Sequence, residues 1–239
     1  MTVPPDSTAL GRRSTGFSPR HARADAVLFD MDGLLVDSEP LWTIAETELA
    51  TRLGGTWNDE VKSACVGHRL DQAVPIILTY YGVPQTPATV AEGIGFLHRR
   101  MEELFAGALT MHEGALGLVD AVRSRGVPTA LVSSSWRTLV DSALVHLGDR
   151  FDTTLSGDEV AHAKPHPEPY RTACARLGAD PRRSVVLEDA MSGVLSAEAA
   201  GCAVVAVPFV APIEPAPRRW VAESLVAVDV DWLLALPSS

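Results

Sequence analysis

The chain has 239 residues, of which 46% are hydrophobic and 21% are charged. This composition excludes a disordered chain and provides enough apolar material for one large core and a small accessory domain. The formal net charge of −10 argues against the basic face of a nucleic-acid-binding protein, and no apolar run approaches the length of a membrane span.

Cysteine usage and the N-terminal residues bear on location. The cysteines Cys65, Cys174 and Cys202 are far apart and form no CxxC pair, so we expect neither a disulfide framework nor a zinc knuckle. Residues 1–23 contain no apolar block like that of a signal peptide, and we expect a disordered tail there. These features favour a protein of the reducing cytosol with no membrane partner. The oligomeric state is open, and a monomer is the default expectation.

Four short apolar runs predict buried strands, at residues 26–29, 128–132, 184–187 and 203–207. Between these runs lie patterns with helical spacing, two of which end at a glycine. The predicted helices contain Leu116, Val119 and Val122, contain Leu139, Ala143 and Leu147, run from Pro167 to Leu177, and run from Ser192 to Ala200. Strands that alternate with helices predict an α/β fold with a doubly wound, mostly parallel sheet.

Residues 40–108 break this alternation. They contain no convincing strand, but they contain two helix-like stretches, 41–53 and 90–105. We therefore predict a small helical domain inserted after the first strand, and a core formed by residues 24–39 and 109–239. The two connections, near residues 38–40 and 107–112, are the expected hinges on which the insertion opens and closes over the core.

Two aspartates follow the first predicted strand. Asp30 and Asp32 are two residues apart, so their side chains point to the same side of an extended chain, and Gly33 permits a tight turn after them. Ligands of open α/β sheets bind at the carboxyl ends of the strands. Taken alone, the segment also fits a strand that ends in a polar turn, with Asp37 and Ser38 capping a helix.

Polar residues follow the other predicted strands as well, so they can meet at the same edge. Ser133 and Ser134 could hold phosphate oxygens at a helix N-terminus, although a plain serine cap gives the same pattern. Lys164, taken alone, fits an ordinary solvated lysine. Glu188 and Asp189 would repel each other unless a cation lay beside them, and the alternative is an acidic helix start.

Together, and in this order, the four segments resemble the motifs of the haloacid-dehalogenase superfamily. The resemblance covers roughly residues 24–230. The insertion resembles the helical cap of beta-phosphoglucomutase-like and sugar-phosphatase members. The resemblance implies a Rossmann-like core, a helical cap, and an enzyme that hydrolyses phosphoric monoesters with Mg²⁺.

The resemblance also implies catalytic roles for individual residues. Asp30 matches the nucleophile, which forms an aspartyl-phosphate in such enzymes. Asp32 matches the general acid/base, whose backbone carbonyl also contacts the metal. Lys164 matches the lysine that bridges the nucleophile and the phosphate, and its bond to Pro165 is expected to be cis, as in similar proteins.

Phosphate and metal ligands follow from the same resemblance. Ser133 matches the phosphate-binding hydroxyl, with the Ser134 amide beside it. Asp189 matches a metal ligand and Glu188 a second one, so that the implied metal site consists of Asp30, Asp32, Glu188 and Asp189.

The chemistry is in accord with these roles. Hydrolysis of a phosphate monoester requires acceleration of up to roughly 10²¹-fold, which a single carboxylate cannot supply. Attack by Asp30 divides the reaction into two displacements. Positive charge from Lys164 and a metal lets this carboxylate approach a dianion, and hard oxygen ligands favour Mg²⁺.

Three activities stay open for this scaffold: a phosphatase, a phosphomutase, and a non-catalytic phosphate-binding or phospho-acceptor protein. Similar mutases carry a histidine just after the first loop, where this chain has Trp42 in a Glu-Pro-Leu-Trp run like that of the sugar-phosphatase branch. Trp42 also fits an aromatic residue packed in the cap. We expect a phosphatase of a small phosphorylated metabolite. A six-carbon sugar phosphate is the preferred substrate, and phosphoglycolate and a nucleotide precursor are the alternatives. Trp42 and Arg69 are the candidate substrate contacts, and the alternative for Arg69 is an ordinary surface arginine.

Overall fold

The computed structural model describes residues 23–209 and 211–236. The predicted N-terminal tail therefore lies almost entirely outside the described residues. The strands are β1 (Ala26–Phe29), β2 (Thr129–Val132), β3 (Thr153–Leu155), β4 (Ser184–Glu188), β5 (Ala203–Ala206) and β6 (Arg219–Val221). They form one parallel sheet with the order β3-β2-β1-β4-β5-β6, which confirms the predicted α/β fold.

The four predicted strands form the centre of this sheet, and the two strands that the sequence did not reveal lie at its edges. β3 and β6 have three residues each, and in each strand only one residue at most is buried. A continuous apolar run marks a strand that is covered on both faces. Edge strands as short and polar as Thr-Thr-Leu and Arg-Trp-Val give no such signal.

The described residues contain nine α-helices. These are α1 (Glu39–Arg52), α2 (Asp59–Cys65), α3 (Leu70–Tyr80), α4 (Pro87–Phe105), α5 (Ala115–Ser124), α6 (Arg137–Leu147), α7 (Glu168–Leu177), α8 (Met191–Ala200) and α9 (Val230–Ala235). The six predicted helices are present, with α1 and α4 beginning two and three residues earlier than expected. The short helices α2 and α9 were not predicted, and neither was α3, whose interior Pro75 ordinarily interrupts a helix.

The strand pattern produces two hydrophobic clusters, one on each face of the sheet. Along β1, Val27 and Phe29 belong to one cluster, and Ala26 and Leu28 belong to the other, because successive side chains of a strand point to opposite faces. Helices α5, α6 and α9 cover the first face, whereas α7 and α8 cover the second. The sheet is thus buried on both sides, as parallel sheets require.

Helices α1 to α4 follow β1 and contain no strand between them. Their buried side chains, such as Leu49, Ile77 and Leu97, pack together and continue the cluster on the first face of the sheet. The treatment of residues 40–108 as a separate cap domain stays a prediction. None of the described helices is long and apolar enough to cross a membrane.

Candidate active site

Asp30 lies directly after β1, in the middle of the sheet. β1 pairs with β2 on one side and with β4 on the other, and the Asp30 amide donates to the carbonyl of Leu187 at 3.1 Å. The polar residues that follow β2 and β4 therefore lie beside Asp30, at the edge where open α/β sheets bind ligands. Asp30 is only 5% exposed.

A buried ammonium group joins three parts of this edge. Lys164 lies in the loop before α7, and its peptide bond to Pro165 is cis, as predicted. Its Nζ atom donates to Asp30 Oδ1 at 2.5 Å, to Glu188 Oε1 at 2.6 Å and to the Val132 carbonyl at 3.0 Å. All three donors of the ammonium are therefore used inside the protein.

Three carboxylates crowd around this ammonium. Asp30, Glu188 and Asp189 are buried, and each offers an oxygen within 4.8 Å of the others. Burial raises the pKa of Asp30 well above its ordinary value, and the charge of Glu188 raises it further, against the opposing effect of Lys164. Burial and the charges of Asp30 and Glu188 likewise raise the pKa of Asp189.

The pKa of Lys164 also reflects the excess of negative charge around its ammonium group. Burial would lower the pKa of Lys164, but the attraction of Asp30 and Glu188 raises it above its ordinary value. One ammonium among three carboxylates leaves an excess of negative charge. A divalent cation would relieve that excess, and the hard oxygens of Asp30, Glu188 and Asp189 are the donors that Mg²⁺ prefers.

Asp32 occupies a different environment, although it is only two residues from Asp30. Its Oδ2 accepts hydrogen bonds from Ser133 at 3.0 Å and from Ser135 at 2.8 Å. Its Oδ1 accepts from Ser38 at 2.9 Å and from the Trp42 indole at 3.4 Å. The Asp32 carboxylate is thus held by neutral donors and is not part of the three-carboxylate group; the metal contact expected of its backbone carbonyl stays a prediction.

Two glycines let the backbone approach the buried acids. A Cβ atom on Gly33 would collide with the carboxylate of Asp189, and Gly33 also has a positive φ of 77°. A Cβ atom on Gly193 would collide with the carboxylate of Glu188. The sequence predicts the turn at Gly33. It does not predict the close approach of Gly33 to Asp189, because that contact depends on the fold.

Residues 27–207 match the haloacid dehalogenase-like hydrolase family. The chain belongs to this family. Hexitol phosphatase B of Escherichia coli strain K12 is 32% identical over 187 residues, which cover 77% of this chain and 83% of that protein. The phosphorylated carbohydrates phosphatase of Thermotoga maritima is 29% identical over 179 residues, which cover 74% of this chain and 82% of that protein.

The family's fold is also seen in solved structures. The crystal structure of beta-phosphoglucomutase from Clostridium difficile superposes with a TM-score of 0.79 at 20% identity, covering 90% of this chain and 97% of that one. At this identity the likeness concerns the fold alone. The family match and the phosphatase relatives confirm the predicted enzyme, a phosphatase-type member of the haloacid dehalogenase-like family.

A pocket lies between the buried acids and the helices of the insertion. Trp42, Glu46 and residues 65–68 line it on the side of the insertion, opposite Asp30, Lys164 and Asp189. The Gly67 carbonyl accepts hydrogen bonds from Ser192 at 2.9 Å and from Ser134 at 3.4 Å, so this loop contacts the core directly. In this family member, the pocket is thus shared by the two parts of the chain.

Arg69 lies at the same seam but is bonded to protein. Its Nη1 donates to the carbonyls of Gly157 at 2.8 Å and Val160 at 3.2 Å, and its Nε donates to Asp71 at 2.8 Å. Arg69 thus ties the N-terminus of α3 to the loop after β3. The substrate contact that the sequence suggested for Arg69 stays a prediction. A substrate would have to bind a guanidinium that is already bonded to these protein groups.

Four residues that sequence reasoning missed contribute to the site: Ser38, Ser135, Tyr170 and Glu46. Ser38 and Ser135 hold Asp32. The fully buried Tyr170 donates its hydroxyl to Glu188 Oε1. Ser135 stood inside the Ser-Ser-Ser run and could have been named, whereas Tyr170 and Glu46 lie on helices whose facing direction the local sequence does not reveal.

We expect Gly33→Ala to abolish most of the enzyme's activity, because the added methyl group would displace Asp189. Gly54→Ala is the matched control, since Gly54 has a similar φ of 81° but no atom within 4 Å of its Cβ position. Left-handed backbone strain should lower the free energy of unfolding of both variants by about 1–2 kcal/mol. Hydrolysis of para-nitrophenyl phosphate and urea unfolding measure the two effects; equal activity of the two variants would contradict this account of Gly33.

The stability of the protein should depend on Glu46 in a defined pH range. Burial, and then the charge of Glu39, raises the pKa of Glu46 to about 8, partly opposed by Lys62. A carboxyl whose pKa is higher in the folded than in the unfolded state destabilises the fold increasingly between its ordinary pKa of 4.5 and about 8. Glu46→Gln should therefore raise Tm relative to the original chain more at pH 8 than at pH 5.

The control for this measurement is Glu92→Gln, at an exposed position on α4. It should give a Tm difference that hardly changes between pH 5 and pH 8. A Tm difference for Glu46→Gln that is equally flat would show that Glu46 is solvated in the folded protein.

Proposed function

We propose that the protein is a Mg²⁺-dependent phosphatase that hydrolyses a phosphorylated carbohydrate through an aspartyl-phosphate on Asp30. The observation that carries the proposal is the Lys164 ammonium shared between Asp30 and Glu188, with Asp189 beside them. The positive charge of such a group lowers the repulsion between a carboxylate nucleophile and a phosphate dianion, so that the two anions can approach each other.

In the first displacement, an Asp30 oxygen forms a bond to phosphorus as the bond from phosphorus to the ester oxygen breaks. The departing alkoxide takes a proton from Asp32, and Lys164 stays on the charged oxygens. In the second displacement, a water oxygen forms a bond to phosphorus as the bond from phosphorus to the Asp30 oxygen breaks. The water gives a proton to Asp32, and the products are inorganic phosphate and the Asp30 carboxylate. The four donors around Asp32 fix its position beside Asp30 for both proton transfers.

Asp30, Glu188 and Asp189 are the residues that would hold Mg²⁺, and their buried oxygens with raised pKa values at Asp30 and Asp189 fit that ion. When bound, Mg²⁺ supplies charge neutralisation of the phosphate. Ser133 would bind a phosphate oxygen through its hydroxyl, after exchanging its bond to Asp32 for one to the substrate, and the Ser134 amide lies next in the chain.

The substrate class is proposed from the named relatives. Hexitol phosphatase B and the phosphorylated carbohydrates phosphatase support a small phosphorylated carbohydrate. We place the enzyme in the cytosol, in keeping with three buried cysteines that form no disulfide among the described residues.

A phosphomutase is the runner-up, and Trp42 is the observation against it. Its indole donates to Asp32 at 3.4 Å, but an indole neither gains nor loses a proton near neutral pH and so cannot prime proton transfer as a histidine can. A mutase would interconvert phosphate positions on one sugar in the presence of a sugar bisphosphate, whereas a phosphatase releases inorganic phosphate under the same conditions.

Asp30→Asn should lower kcat by at least about 10⁴-fold, since the amide cannot form the acyl-phosphate. Its Tm should stay near that of the original chain, because Lys164 keeps its ion pair with Glu188 while one of three crowded negative charges is removed. Asp149→Asn, at an exposed position after α6, is the control and should keep full activity. Phosphate release from a sugar-phosphate panel, with Mg²⁺ and with EDTA, measures the effect.

Two results would overturn the proposal. Undiminished turnover by Asp30→Asn, or turnover in EDTA equal to that in Mg²⁺, would exclude the aspartyl-phosphate or the metal. Absence of phosphate release from every ester at high enzyme concentration would favour the non-catalytic phosphate-binding or phospho-acceptor protein.

A further inference from the structure

Two acids of the pocket are not used by the proposed chemistry: Glu39, which is paired with Lys62, and Glu46. Glu46 lies on α1, four residues and hence about one turn after Trp42, and it lines the same pocket as the catalytic residues. Among the described residues, its carboxyl has no hydrogen bond or ion pair. A half-buried carboxyl without a partner is costly, so a ligand that offers hydroxyl groups would improve its environment.

The cations around this pocket are already paired. Lys164 is bonded to Asp30 and Glu188, and Lys62 lies 3.0 Å from Glu39. Arg69 is bonded to two carbonyls and to Asp71. Within the described part of the chain, the side of the pocket formed by the insertion therefore carries Glu39 and Glu46 but no lysine or arginine free to meet an anion.

This charge arrangement separates two kinds of phosphate ester. An ester whose far end is a neutral polyol can donate hydroxyl hydrogen bonds to Glu46. An ester with a second anionic group, a carboxylate or another phosphate, would lose the hydration of that group and gain no cation in return.

We propose that Glu46 is the specificity-determining residue of the site, binding hydroxyl groups of a neutral polyol phosphate and excluding esters that carry a second anion. The inference rests on the proposed phosphatase function and deepens it. It gives the substrate a single charged end, the phosphate, and assigns recognition of the other end to α1.

The charge state of Glu46 adds a pH dependence to this selection. The charged or titratable groups near it are Glu39 on its own helix, Lys62 and Cys65 on α2, and His68, which lines the same pocket. Burial and then the charge of Glu39 raise the pKa of Glu46 to about 8, partly opposed by Lys62. Below that pH, a neutral Glu46 both donates and accepts hydrogen bonds. Above it, the carboxylate repels a second anion, so discrimination should increase between pH 7 and pH 9.

Sorbitol 6-phosphate and 6-phosphogluconate form a matched pair for the test, since they differ at the far end by a hydroxymethyl group against a carboxylate. We expect the original enzyme to prefer sorbitol 6-phosphate in kcat/KM by at least about 100-fold at pH 9, and less at pH 7. Glu46→Gln should reduce this preference about tenfold at pH 9, equivalent to about 1.4 kcal/mol, and should remove its pH dependence. Glu92→Gln, which changes the net charge equally, should leave the preference unchanged.

The possible outcomes separate the inference from the function on which it rests. Equal kcat/KM for the two esters in the original enzyme, or an unchanged ratio in Glu46→Gln, would overturn the role of Glu46 while phosphate release still supports a phosphatase. A loss of activity on both esters alike in Glu46→Gln would assign the residue to folding or positioning and would also overturn the inference. Failure of the original enzyme to release phosphate from any ester would remove the proposed function and the inference together.

Discussion

The interaction on which the site depends is the bond between the Lys164 ammonium and the carboxylates of Asp30 and Glu188. These three groups are almost completely buried, and Asp189 adds another negative charge. Breaking a buried ion pair by removing one partner costs more than the pair itself contributes, because the remaining charge is left without water. Lys164 is therefore the group that permits the other acids to remain in the interior, and its three donors leave none for solvent.

The sheet order explains why this cluster can form from distant parts of the chain. β1 lies between β2 and β4, so the residues that follow these three strands share one edge. The Val132 carbonyl at the end of β2 accepts from Lys164, and Glu188 ends β4. Gly33 and Gly193 then allow the backbone to pass close to Asp189 and Glu188, where any side chain would collide. Position in the sheet brings the acids together, and the glycines keep space for them.

The residues at strand ends could be predicted from sequence because a buried parallel strand is a strong local signal and its end has a known place in the fold. Asp30 and Glu188 are examples, whereas Lys164 lies in a loop, and its role was predicted from the family resemblance of its segment. The same reasoning failed where the outcome depends on which way a helix faces. Tyr170 contacts Glu188 from α7, whereas the sequence around Tyr170 predicts a helix but not the direction in which this side chain points. Pro75 argued against a helix in its segment, so α3 was not predicted. The helix forms nevertheless because packing of the neighbouring apolar residues overcomes the effect of Pro75.

The two ends of the pocket differ in how they handle charge. The end formed by the strand termini combines carboxylates with Lys164 and suits a divalent cation and a phosphate. At the end formed by the insertion, Arg69 is occupied in joining α3 to the core, and Glu46 has no hydrogen-bond or ion-pair partner among the residues that the structure describes. A substrate that matches both ends has its negative charge at one end and hydroxyl groups at the other. The contacts through which Arg69 holds the insertion on the core thus leave its guanidinium unable to bind a second anion of the substrate.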